Sequence, residues 1–99
     1  MPNFASPFTV LKADRKLTKS ELIRCLRIMV AGEYEAIQLY TQLAESIDDE
    51  LSKKVLLEIA DEERVHAGEF IRLINHLDPE EQKFYKKGAQ EVEENIKKL

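Results

Sequence analysis

The sequence predicts an all-α domain: an antiparallel two-helix hairpin plus a C-terminal helix, with two hairpins dimerising into a four-helix bundle. Three observations predict it. Gly and Pro number three each among 99 residues, roughly half of their usual combined share, so tight turns are few. Charged residues make up 34% of the chain, against roughly a quarter in ordinary domains, as long solvated helices require. Apolar residues recur in alternating threes and fours over two long stretches, the period of a helix face.

Composition also bounds what the chain does. A chain of 99 residues makes one domain at most, and so short a chain buries only a little over half of the surface its unfolded form exposes. Cys25 is the single cysteine, which excludes an internal disulfide and a thiolate metal cage and fits a reducing cytoplasm. Oligomerisation or a non-thiolate metal is then the expected source of stability. A net charge of -4 and a pI near 5.2 disfavour nucleic acid and anionic membranes as partners and favour cationic ligands. No apolar stretch reaches the ~20 residues of a membrane span, and no basic region followed by an apolar core opens the chain, so a soluble protein without a recognisable secretion signal is expected.

The elements follow in order. Residues 1–18 carry Pro2, Pro7 and scattered Phe4, Phe8, Val10 and Leu11 without a period, and read as an extended arm; residues 19–99 read as the helical domain. Thr18 followed by Glu21 is a capping box and opens a first helix over about 19–46. Asp48 and Asp49 supply the break and an N-cap for a second helix over about 49–77. Asp78-Pro79 stops it, because Pro lacks an N–H and clashes with the preceding turn. Asp78 as N-cap, Pro79 at the first helical position and Glu81 start a third helix over about 79–97, which Gly88 is expected to loosen midway. So short a link between the first two helices forces an antiparallel hairpin.

Polar residues interrupt the apolar stripes at particular points. On the first helix the stripe runs Leu22, Leu26, Met29, Glu33, Ala36, Tyr40, Leu43 and Ile47. On the second it runs Leu56, Ile59, Glu63, His66, Phe70, Leu73 and Leu77, with Glu63 and His66 adjacent on one face at i, i+3. Glu33 lies some 15 residues before the turn, and Glu63 and His66 some 14 to 18 after it, so at 1.5 Å per residue all three stand roughly 20 to 25 Å above it. They can meet.

An ionised carboxylate taken out of water unpaired is destabilising by several kcal/mol, and a second one nearby makes matters worse. A cation removes that penalty. Carboxylates with one imidazole suit Fe, Mn and, less well, Zn, and iron is the metal for which helical sites with a Glu-x-x-His pair are best attested. A di-metal carboxylate bundle needs a Glu from each of two helices and Glu-x-x-His from each of two others, twice what one hairpin offers. Two hairpins about a two-fold axis supply the full set and the missing core together.

Glu-x-x-His alone is a weak signal, since Glu-rich helices produce it by chance; its place on the seam, level with Glu33, gives it weight. The alternative is an interhelical Glu-His ion pair or a solvated polar stripe. Tyr40 is either a core Tyr with one hydroxyl partner or a residue beside the site. Glu35 lies on another face from Glu33. Glu58, Glu62 and Glu69 form a separate stripe, as solvated faces do. His76 reads as surface, and Cys25 as a small packing residue off the seam.

The run Met29-Val30-Ala31-Gly32-Glu33-Tyr34-Glu35-Ala36-Ile37-Gln38-Leu39-Tyr40, then Asp61-Glu62-Glu63-Arg64-Val65-His66-Ala67, resembles the encapsulated ferritins, a branch of the ferritin and rubrerythrin superfamily. The similarity extends through Gly68-Glu69-Phe70 and Leu77-Asp78-Pro79-Glu80 and covers most of residues 19–95. It implies a half-ferritin whose dimers complete a ferritin-like four-helix bundle with a di-iron ferroxidase centre at the interface, and whose dimers assemble further into a ring-like decamer. It implies cargo of an encapsulin shell: iron is oxidised by the cargo and mineralised in the nanocompartment, within the cytoplasm. By match, Glu33, Glu63 and His66 correspond to iron ligands, Tyr40 to a Tyr beside the centre, and Glu35 to an acidic residue at a secondary metal site. Two departures stand out. Gly32 replaces a Glu that many relatives carry before the ligand, which implies an entry site that is weakened or differently built. The usual linker and targeting peptide are missing after Glu94-Asn95-Ile96-Lys97-Lys98-Leu99, which implies a shortened sequence, a domain fused to a shell protein, or a minimal docking tail.

The expected reaction is oxidation of paired Fe(II) by oxygen or peroxide, with Glu33 and Glu63 holding and bridging the irons and His66 capping each. A rubrerythrin-type peroxidase needs a four-cysteine electron-transfer domain, and a 24-subunit cage needs a four-helix protomer; neither fits. Other di-metal chemistry, such as a manganese catalase, and a purely structural hairpin are the alternative readings.

Overall fold

A computed structural model describes residues 15–99; residues 1–14, and with them most of the expected arm, lie outside the described residues. Three helices follow, α1 (Lys19–Glu45), α2 (Glu50–Leu77) and α3 (Pro79–Lys97), and among the described residues there is no strand. The chain is all-α, as its sequence predicts.

The helix ends are fixed by local chemistry. Thr18 Oγ1 accepts from the Glu21 N–H at 3.2 Å, and Glu21 Oε1 accepts from the Thr18 N–H at 2.9 Å, so both halves of the capping box are made. Arg15 adds a forked ion pair to the same carboxylate at 2.7 and 2.6 Å. This geometry, led by the Arg15 hydrogen bonds and then by the Thr18 N–H, draws the Glu21 carboxyl down to about 2. At the other end the Ser46 N–H donates to Leu43 O at 3.0 Å and closes α1. Asp49 caps α2, its Oδ2 accepting from the Ser52 N–H at 2.9 Å and the Ser52 hydroxyl at 2.5 Å.

Two expectations about α3 need correction. Asp78 occupies its N-cap position, but the side chain makes no capping hydrogen bond; the Asp78 carbonyl accepts from the Glu81 N–H at 3.3 Å instead. Gly88 does not loosen the helix, which runs unbroken through it. One glycine lowers helix propensity by about 1 kcal/mol relative to Ala, too little to break a helix flanked by good formers.

α1 and α2 pack side by side along their length. Their core joins Ile23 and Leu26 of α1 to Ile74 of α2, with Val30, Phe70 and Leu77 packed against it. Residues near the start of α1 thus meet residues near the end of α2, which makes the hairpin antiparallel. Ala44, Ala60 and Ala67 are also buried, and their small side chains let the two backbones approach closely. The stripe expected from the sequence is therefore only partly the hairpin's own interior. Met29, Leu43 and Leu73 on it remain 49%, 50% and 47% exposed. They flank the inter-helix contact on one side and leave that face of the hairpin open. None of the described residues of α3 is buried, and no helix of the described residues is long and apolar enough to cross a membrane.

Candidate metal centre

The open face positions the site. Glu33 lies twelve residues before the end of α1 at Glu45, and Glu63 thirteen residues after the start of α2 at Glu50. With a rise of 1.5 Å per residue both stand about 20 Å from the turn, and His66 follows Glu63 by just under one helical turn. The antiparallel packing then brings Glu33 across to the Glu63-His66 pair.

His66 Nδ1 lies 3.9 Å from Glu33 Oε2 and 3.7 Å from Glu63 Oε1. Ligand atoms of the three residues all fall within 4.8 Å of one another. These separations are longer than hydrogen bonds, so the imidazole satisfies neither carboxylate. They are close to the span across a single cation, at most about 4.2 Å when each ligand stands about 2.1 Å away. Glu33 and Glu63 side chains are 18% and 19% exposed, while His66 is 50% exposed. Glu33 Oε2 is buried with no hydrogen-bond donor. A buried carboxylate oxygen that lacks a donor, beside a second carboxylate and an imidazole, matches the donor set of a hard or borderline divalent cation. The group thus fits a metal, and it lies on the open face of the hairpin.

The other candidates fall around this group. Tyr40 is half-buried, two helical turns nearer the hairpin turn on the face that carries Glu33. Glu35 is two residues on from Glu33, about 200° around the helix, and is not part of the group. A Cβ at Gly32 would meet nothing within 4 Å, so packing does not demand the glycine there. Glu58, Glu62, Glu69 and His76 are exposed and Cys25 is half-buried. Sequence reasoning passed over a second polar group on the same chain, in which Arg27 of α1 pairs with Glu81 of α3. The two are 54 residues apart, and no periodicity links them.

The rubrerythrin family profile matches residues 25–99. A ferritin-like-encapsulin shell fusion protein from Pyrococcus furiosus is 43% identical over 87% of this chain, and an encapsulin nanocompartment cargo protein, EncC, from Myxococcus xanthus is 42% identical over 77% of it. The matched region spans a quarter of the length of the first relative and 58% of the second. The crystal structure of the encapsulated ferritin domain from Pyrococcus furiosus superposes with a TM-score of 0.82 at 43% identity, covering 90% of each chain. The chain belongs to the rubrerythrin family of ferritin-like domains, in its encapsulated ferritin branch.

Proposed function

We propose that the protein is a ferroxidase, oxidising Fe(II) to Fe(III) at a di-iron centre shared between two copies of the hairpin. The observation that carries this reading is the convergence of Glu33, Glu63 and His66 on the open face, with Glu33 Oε2 buried and without a donor. One chain supplies two carboxylates and one imidazole. A second copy about a two-fold axis doubles the set to that of a di-iron carboxylate bundle and covers Met29, Leu43 and Leu73 in the same step.

Iron enters as substrate. Glu33 and Glu63 hold and bridge two Fe(II) ions and His66 caps each one. Their hard anionic oxygens favour Fe(III) over Fe(II) and so pull the reaction forward. Each iron gives up one electron; dioxygen takes two electrons and two protons to become peroxide, or peroxide takes two of each to become water. Tyr40 sits beside the centre as a neighbouring hydroxyl, and Glu35 serves a secondary cation position. The ferric product passes to a mineral inside an encapsulin shell in the cytoplasm, a partner suggested by the names of both sequence relatives. Higher assembly of the dimers, to a decamer, completes the proposal.

The test is a crystal grown with Fe(II), with anomalous scattering collected at the iron and manganese edges, alongside aerobic iron-oxidation and peroxide-consumption assays. Iron peaks between Glu33, Glu63 and His66 of two chains are expected, and Glu33→Ala or His66→Ala should abolish oxidation. Undiminished oxidation in both variants overturns the reading. Manganese peaks with rapid peroxide disproportionation would replace it with a catalase.

A further inference from the structure

α3 leaves the hairpin through one residue. Asp78 alone separates Leu77 from Pro79, so its φ of -138° and ψ of 80° set the direction of the next nineteen residues. Such a joint is a hinge unless something braces it. From Pro79 to Lys97 the helix is about 27 Å long, so a swing of 20° at Asp78 moves its far end by about 9 Å.

The brace lies in the first two turns. Glu81 reaches back to the Arg27 guanidinium of α1, and its side chain is 15% exposed in that pairing. Tyr85 stands one turn further on, on the same face of α3. The nearby Tyr85 hydroxyl and the Arg27 guanidinium hold Glu81 below the usual carboxylate range, and Glu81 pushes the Tyr85 phenol up. The Tyr85 ring and Arg27 also line a cavity of about 310 Å³ with Val30, Tyr34 and Ile74 of the hairpin. Residues 86–99 beyond this point are exposed without exception.

We propose that the Arg27–Glu81 pair, with the Tyr85 ring packed beside Arg27, forms a latch that fixes the angle at which α3 leaves the hairpin, and hence the direction in which its exposed apolar residues Val92 and Ile96 are presented. The pair acts as one unit. Glu81 is the acceptor, Arg27 ties it to α1, and the Tyr85 ring packs beside Arg27 over the cavity. The latch is independent of the metal group, which lies on other residues and on the other flank of α1.

The experiment places nitroxide labels at Glu58→Cys on α2 and Glu93→Cys on α3, both exposed positions, in a Cys25→Ser background. Labelled chain is diluted with unlabelled chain, so that electron–electron double resonance reads distances within one copy. A single narrow distribution is expected with Glu81 and Arg27 in place, and one at least twice as wide in Glu81→Ala and in Arg27→Ala. The double variant should be no wider than either single one, and Tyr85→Ala, which removes the ring from the cavity, should fall between. Unchanged widths in the single variants, or additive widening in the double variant, overturns the latch. Far-ultraviolet circular dichroism should show undiminished helix content in all four variants; loss of helix in Glu81→Ala would make the pair a folding contact and also overturn it.

Discussion

Replacing Glu33 by Gln should change stability in opposite directions with and without metal. In the metal-free chain Glu33 is a liability, since its side chain is only 18% exposed and Oε2 has no donor. A second carboxylate, Glu63, belongs to the same tight group. Gln keeps the length of the side chain, removes the charge and brings an amide N–H able to donate to the neighbouring carboxylate. An unsatisfied buried polar group is destabilising by about 1–3 kcal/mol, and the residual exposure of Glu33 places it near the lower end. About 1 kcal/mol corresponds to a rise of roughly 4–8 °C in Tm for a domain of this size. With metal the sign reverses. A cation at a hundred times its Kd stabilises the native protein by about 2.7 kcal/mol, more than 10 °C by the same conversion, and a neutral amide forfeits most of it. The assay is calorimetry at fixed protein concentration, first with chelator and then with anaerobic Fe(II). A Gln variant that melts below the native protein in chelator, or that keeps the full metal-induced shift, would refute the reasoning.

Three further outcomes are expected. Met29→Asp should weaken self-association by at least a hundredfold in sedimentation experiments, because it places a charge on each side of the proposed pairing face; an unchanged sedimentation profile would count against that face. Ala60→Leu should lower stability by about 1–3 kcal/mol in urea titrations, since Ala60 is fully buried in the hairpin and the extra volume must separate the helices. As acid is added, α1 should lose the stabilising contribution of its cap. The folded Glu21 carboxyl is depressed to about 2, so this contribution is complete above the ordinary carboxyl range of about 4.3 and vanishes as the pH falls through about 2. Carboxyl chemical shifts will show it, and a Glu21 midpoint above 4 would disprove the Arg15–Glu21 geometry.

The helix ends were legible because each rests on neighbours in sequence. Thr18 with Glu21, Asp49 with Ser52, and Pro79 at the first position of α3 act within three residues. The convergence of Glu33, Glu63 and His66 was legible for another reason: in an antiparallel hairpin, distance from the turn is a count of residues multiplied by a fixed rise. The rotation of each helix about its axis was less so. The sequence stripe favoured large side chains such as Met29, Leu43 and Leu73, whereas the hairpin's own contact relies partly on Ala44, Ala60 and Ala67. Their small size permits close approach and carries little weight in a hydrophobic pattern. Asp78 shows the same limit at shorter range, for its residue type suits a side-chain cap that its backbone geometry does not make. The Arg27–Glu81 link had no sequence signal, since two charges on exposed helix faces look alike whether or not they meet.

The open face carries a consequence for how quickly such a protein can be retuned. In a two-fold pair every substitution on that face is felt twice, once from each chain, while a change between α1 and α2 is felt once per chain. A mutation worth only about 0.7 kcal/mol at one copy therefore shifts the association constant by about tenfold. Pairing strength can thus travel several orders of magnitude through a few single-codon steps, each too mild to endanger the folding of the subunit that takes it.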